Sequence, residues 1–217
     1  MGKPITLQLC RLPSPMGPLS LGTVSDVPDG LASACVGTSG RFAGSGGALA
    51  LLEFGHRAAR GVAAITRAIE DTGHALDVRE DCDLASCPAL HAASTQMNAY
   101  FAGERAAFDL DLFLPGTEFQ RRVWDALLRI PCGEVCSYGD IARGIGAPGA
   151  SRAVGLSNGA NRIAIVVPCH RVLDSAGRLH GYGGGLERKR WLLDHERSMA
   201  GDTLFAGAAP GDEGAKR

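Results

Sequence analysis

The sequence predicts a two-part α/β (α+β) protein. Three observations carry this reading. Strand-like apolar runs flank a Ser14-Pro15 turn near the start, two short helical patterns meet at the Gly146-Ala147-Pro148-Gly149 turn, and the balance of charge changes sign between the two halves. Residues 1–114 form the N-terminal α/β part and residues 115–197 a mainly helical part. Residues 198–217, rich in Gly, Ala and Asp, are expected to be a disordered tail. At 217 residues and 45% hydrophobic content, the chain has enough apolar surface for one large core or two small ones.

Leu7–Cys10 and Leu19–Thr23 read as short strands around the Ser-Pro turn, and Leu31–Val36 as a third. Thr38–Gly47, dense in Gly and Ser, reads as a loop. His56–Asp71 and His91–Phe101 have helical patterns, and Phe108–Leu114 alternates like a strand or linker. Pro115-Gly116 marks the boundary between the parts. Thr117-Glu118-Phe119-Gln120 then matches a capping box, opening a helix with Phe119, Val123, Leu127 and Ile130 on one face. The second helix of the helix-turn-helix runs from about Ala150 to Gly159; it carries small side chains and one arginine, slim enough to approach a nucleic-acid groove closely. Ile165-Val166-Val167 reads as a buried strand that Pro168 terminates, and Leu186–Glu196 is the last helix.

Net charge is −1, which argues neither for nor against a polyanionic partner. Its distribution is more informative. Residues 1–114 hold 8 basic and 12 acidic side chains, residues 115–197 hold 12 and 8, and the tail holds 2 and 3. The basic part is the one with the helix-turn-helix, a modest footprint for nucleic acid. The 7 cysteines (10, 35, 82, 87, 132, 136 and 169) are odd in number, follow no signal peptide, and accompany no apolar run of membrane-spanning length. A reducing cytosol, or a nucleus in a eukaryote, is expected, with no membrane contact. Neither Cys82/Cys87 nor Cys132/Cys136 has a second Cys/His pair at zinc spacing, so no metal is expected.

The chemistry-bearing feature is Pro168-Cys169-His170-Arg171. A free thiol of pKa about 8.5 is only a few per cent ionised at neutral pH, so a nucleophilic cysteine needs a neighbouring base. An adjacent histidine supplies one. Taken alone, these letters serve a buried structural cysteine as well as a nucleophile. Coupled to a helix-turn-helix, a presented nucleophile suggests chemistry on a base.

Residues from about Gly116 to Glu196 resemble the DNA-binding and catalytic domain of the O(6)-alkylguanine-DNA alkyltransferases, the methylated-DNA–protein-cysteine methyltransferases. The matching pieces, in order and spacing, are Gly116-Thr117-Glu118-Phe119-Gln120, Val123-Trp124, Ile130-Pro131, Gly133-Glu134, Ser137-Tyr138-Gly139, Arg152-Ala153-Val154-Gly155, Asn161, Pro168-Cys169-His170-Arg171-Val172 and Gly181-Tyr182. Ser14-Pro15-Met16-Gly17-Pro18-Leu19 resembles the family's opening hairpin. The resemblance implies a ribonuclease H-like N-terminal domain and a winged-helix-like C-terminal domain. It also implies a single-turnover transfer of the alkyl group of O(6)-alkylguanine to Cys169, without a cofactor, by a monomer bound in the minor groove of double-stranded DNA.

In that scheme His170 takes the thiol proton through a water, because neighbouring side chains on a strand face opposite ways. Glu196 orients His170, and Asn161 holds the active-site backbone. Tyr138 bonds N3 of the flipped guanine and assists its protonation. Arg152 fills the space the base vacates, with Ala150, Ser151 and Tyr138 as further DNA contacts. Backbone groups of Cys169 and Val172 read the exocyclic amine, while Tyr182 and Gly183 line the pocket near O(6). Arg171 and Lys189 are structural or pocket-wall residues. Gly183 stands where several members carry a hydroxyl residue, His180 replaces a smaller residue, and Ala164 stands where some members have a proline. These departures predict that O(6)-methylguanine is accepted and that benzyl-type substrates react poorly. The competing readings are a non-catalytic binder of alkylated DNA, a helix-turn-helix transcription regulator and a Cys-His hydrolase.

Overall fold

The computed structural model describes residues 4–38, 47–84 and 87–201. A six-stranded mixed sheet carries the N-terminal half, in the order β3-β6-β4-β2-β1-β5. Its strands are β1 (Ile5–Leu12), β2 (Leu19–Ser25), β3 (Cys35–Gly37), β4 (Ala48–Phe54), β5 (Leu76–Arg79) and β6 (Asp111–Phe113). β1, β2 and β4 pair antiparallel, while β5 joins β1, and β6 joins β4, in parallel. Helix α1 (Gly55–Glu70) presses Ile65 and Ile69 into a core with Ile5, Leu7, Val24 and Leu51. Helix α2 (Pro88–Phe101) presses Leu90, Ala93, Met97 and Tyr100 into a second core with Leu19, Leu21, Leu49 and Leu52. β4 lies in mid-sheet, and all seven of its residues are buried.

The second core runs on into the C-terminal half. There, α3 (Glu118–Leu128) opens on the expected capping box: Gln120 N donates to Thr117 Oγ1 at 3.2 Å and Thr117 N to Gln120 Oε1 at 2.9 Å. Val123, Trp124 and Leu127 are its buried face. Trp124 Nε1 donates to the Ser157 carbonyl at 2.9 Å, which ties α3 to α5. The helix-turn-helix is α4 (Tyr138–Gly144) and α5 (Ser151–Gly159), joined through Gly146 and Gly149, both at positive φ. Ser137 and Asp140 form a capping box for α4. A short parallel pair, β7 (Cys136–Ser137) with β8 (Val172–Leu173), and α6 (Leu186–Met199) complete this half.

Several expectations need correction. The segment 31–36 is mostly a 3-10 turn over Asp29–Ala34, because Leu31 N bonds back to Pro28 O at 2.9 Å; only Cys35–Gly37 is strand. The apolar run before Pro168 is not a strand. Ile163 makes a single bridge to Leu52, and the chain then turns, with Ile165 at φ +72° and Val167 N bonded to Ile163 O at 3.0 Å. Cys169–Arg171 is a 3-10 turn, which removes the opposite-faces argument for Cys169 and His170. β4 and β5 were not foreseen, and α6 runs past Glu196 to Met199. Most of the Thr38–Gly47 loop and the tail after Gly201 lie outside the described residues. Among the described residues, no helix is long and apolar enough to cross a membrane.

Candidate active site

The turn over 161–168 sets the site. Its backbone groups are buried and must be satisfied locally. The Asn161 side chain does this: Nδ2 donates to Val167 O at 2.9 Å, and Oδ1 accepts from Ile163 N at 2.9 Å. From outside, β4 clamps the same turn, with Leu52 N donating to Arg162 O and Ala164 N to Leu52 O, both at 2.8 Å. Cys169 follows directly, 6% exposed, on the wall of a cavity of about 580 Å³. Burial pushes its thiol up to about 11, although Asn161, Lys189 and Arg57 oppose the shift. The resting cysteine is therefore a neutral thiol, and its proton has to be removed for it to react.

Behind Cys169 lies a buried histidine-acid pair. His170 Nε2 sits 2.9 Å from Glu196 Oε1, and both side chains are fully buried. Glu196 also accepts from Tyr100 Oη at 2.9 Å, from Arg171 Nε and Nη2 at 2.8 Å each, and from Gly133 N at 3.2 Å. Burial alone would raise this carboxyl, but bonding to His170 and Arg171 outweighs it and holds the group well below the usual carboxylate range. A carboxylate only accepts, so Nε2 carries the imidazole hydrogen. Burial lowers His170 from its ordinary value, leaving it neutral near pH 7 despite Glu196. Nδ1 is then the basic nitrogen, buried and without a hydrogen-bond partner among the described residues.

The helix-turn-helix supplies one rim of the cavity. Tyr138, Ser151 and Arg152 line it together with Asn161, Cys169, Tyr182 and Gly183. Tyr138 is half-buried; its hydroxyl donates to His180 O at 3.3 Å, and burial together with Cys169 raises it. The Tyr182 hydroxyl is buried and without a hydrogen-bond partner among the described residues, and its ring stands edge-on to Phe54 at 6.3 Å. Ala150 precedes α5 and does not line the cavity; nor do His170, Glu196 or Val172, which lie behind the wall. Val172 O accepts from Lys189 Nζ at 2.5 Å, and Cys169 O from Asn158 Nδ2 at 3.3 Å. Each carbonyl keeps a second lone pair.

The sequence reading misses Asn158, Tyr100, Glu53 and Arg57, whereas Arg171 and Lys189, expected as structural or pocket-wall residues, are buried and hydrogen-bonded behind the site. Asn158 reaches Cys169 from the buried face of α5, where an internal helix asparagine is the available signal. Arg171 and Tyr100 complete the Glu196 cluster. Glu53 and Arg57 bring a charge pair from the N-terminal half to the cavity wall. Lys189, fully buried, holds Val172 to the 180–181 loop through bonds to Val172 O and His180 O; burial lowers it to about 8. Among the described residues, no group of three or more His, Cys, Asp or Glu side chains is placed to hold a metal.

Fold and site together define a helix-turn-helix protein with a cysteine on the wall of a cavity and a buried His-Glu pair behind it. Residues 118–198 match the family model described as 6-O-methylguanine DNA methyltransferase, DNA binding domain. A Mycobacterium tuberculosis methylated-DNA–protein-cysteine methyltransferase is 63% identical over 112 residues, which is 52% of this chain and 68% of that one. The Salmonella typhimurium protein of the same name is 57% identical over 104 residues, 48% of this chain and 61% of its own. The crystal structure of M. tuberculosis OGT in complex with DNA aligns at a TM-score of 0.63 and 42% identity, covering 89% of this chain and 94% of that one. The chain belongs to the methylated-DNA–protein-cysteine methyltransferase family.

Proposed function

We propose that this protein repairs DNA by moving the alkyl group of O(6)-alkylguanine irreversibly to Cys169. The observation that carries this reading is the placement of Cys169 in a cavity rimmed by the helix-turn-helix and backed by His170–Glu196. The target atom is inaccessible in a stacked duplex, so the nucleotide must flip out, at a cost of a few kcal/mol. Arg152, at the first turn of α5, fills the vacated space from the minor groove, and Ala150 and Ser151 contact the backbone beside it. Tyr138 bonds N3 of the flipped base, Tyr182 and Gly183 flank O(6), and the second lone pair of Cys169 O accepts from the exocyclic amine.

The thiol proton passes through a water to Nδ1 of His170, and Glu196 stabilises the imidazolium that forms. The thiolate attacks the alkyl carbon in line with the C–O bond. A C–S bond forms as the C–O bond breaks, and the leaving guanine takes up a proton with help from Tyr138. A thioether has no route back to the thiol, so each chain reacts once. The protein acts as a monomer without a cofactor, inside the cell, and divides into domains at Leu114/Pro115.

The test is stoichiometry. Duplex carrying labelled O(6)-methylguanine should lose its label to protein in a burst that stops at one equivalent. Continued turnover would instead support a Cys-His hydrolase, and binding without transfer a non-catalytic reader.

A further inference from the structure

At Gly183 the space that a side chain would take is filled by the Arg57 guanidinium, and the backbone itself does not demand glycine. Its φ is not among the positive values found at eleven other glycines of the described residues, so other residues could adopt its backbone. A Cβ there would stand 2.1 Å from Arg57 Nη1 and 2.3 Å from its Cζ. The guanidinium therefore occupies the place a side chain at 183 would take. Three contacts hold it there. Nε donates to Glu53 Oε2 at 3.1 Å and to Oε1 at 3.3 Å, and Nη2 donates to Gly159 O, at the C-terminal end of α5, at 3.2 Å. Arg57 also stands in the first turn of α1, where the helix dipole disfavours a cation. The buried Glu53 carboxylate and the negative end of α5 offset that penalty. Glu53, Arg57, Gly183 and Cys169 all line the same cavity.

We propose that Arg57 is a specificity-determining residue: its guanidinium, clamped over Gly183 by Glu53 and the Gly159 carbonyl, closes the alkyl side of the pocket and restricts transfer to small alkyl groups. This rests on the alkyl-transfer reading above, in which Gly183 lies beside O(6). A benzyl group exceeds a methyl by a phenyl ring, which has as many heavy atoms as the arginine side chain beyond Cβ. The ring fits only if the guanidinium leaves. The N-terminal half thus sets substrate size for a nucleophile carried by the C-terminal half.

The experiment compares single-turnover transfer from duplexes containing O(6)-methylguanine or O(6)-benzylguanine, for wild type, R57K, R57A and E53Q/R57A. The double variant removes both charges, so no buried carboxylate is stranded if R57A folds poorly. The benzyl-to-methyl rate ratio should rise at least about tenfold in R57A and in E53Q/R57A, with R57K between them and wild type. An unchanged or lower ratio in the folded variants overturns the proposal, as does a wild type that takes benzyl as fast as methyl. Wild-type protein that transfers neither group refutes the alkyl-transfer reading itself, a separate outcome.

Discussion

Replacing Glu196 with glutamine changes one oxygen for an amide and should cost more than any other single change at the site. Five hydrogen bonds end on this carboxylate, from Tyr100, His170, Gly133 N and twice from Arg171. The side chain is fully buried, and it is ionised at neutral pH because its partners hold it well below the carboxylate range. In E196Q the amide nitrogen meets donors instead of accepting from them, and the Arg171 guanidinium loses its counterion. Stranding one partner of a buried ion pair costs about 3–5 kcal/mol. At roughly 2–4 °C per kcal/mol for a chain of this size, Tm should fall by about 6–20 °C. Below that transition, His170 also loses the group that fixes its tautomer and stabilises its cation, so transfer should slow by about 100-fold or more. Thermal unfolding followed by Trp124 and Trp191 fluorescence, with single-turnover transfer at low temperature, reads both effects. Y100F is the control: it removes one bond from an uncharged donor to the carboxylate, worth about 1.5–3 kcal/mol, and strands no charge. An E196Q protein as stable as Y100F, or reacting at the wild-type rate, would refute the reasoning.

Other expectations follow from the same geometry. C169A should abolish transfer while leaving binding to O(6)-methylguanine duplex intact, measured by gel shift. N161A removes the acceptor for Ile163 N and the donor to Val167 O in a buried turn, and should cost about 1–3 kcal/mol per unsatisfied group in a urea titration. R152A should slow transfer from duplex much more than from a single strand, where no base stack has to be opened; equal slowing on both would remove its wedge role. His170 is held below its ordinary pKa, so as pH falls through about 6.5 the unfolded chain protonates before the folded one. Its contribution to stability is present above that pH and is lost as pH falls toward the folded pKa, by at most about 1.4 kcal/mol per unit. Urea midpoints between pH 8 and pH 5 should show this slope in wild type and lose it in H170Q.

The C-terminal half was largely legible in the sequence because local signals there agree with the fold. The Thr117 capping box, the Gly/Pro turn of the helix-turn-helix and the Pro-Cys-His-Arg run each act over a few residues. What was not legible depends on distant partners. The run before Pro168 has strand composition, yet its backbone is satisfied by Asn161 and by Leu52 of β4, so it turns. β4 is buried along its whole length and shows no alternation, which hides it beside a Gly/Ser-rich loop. Arg57 lies 112 positions before Cys169 in a helix with no motif, and only the packing over Gly183 reveals it. Glu196 was placed by resemblance; its five hydrogen bonds come from four residues in three parts of the chain, around Tyr100, Gly133 and His170-Arg171, that no spacing connects.

The most direct test of the central claim is peptide mass spectrometry after incubation with a duplex bearing one O(6)-methylguanine. Suicidal repair predicts one added methyl group, on Cys169 and on no other of the 7 cysteines, reaching one per chain and stopping. Loss of the lesion with an unmodified Cys169 would contradict it and would mean that the cysteine turns over or takes no part.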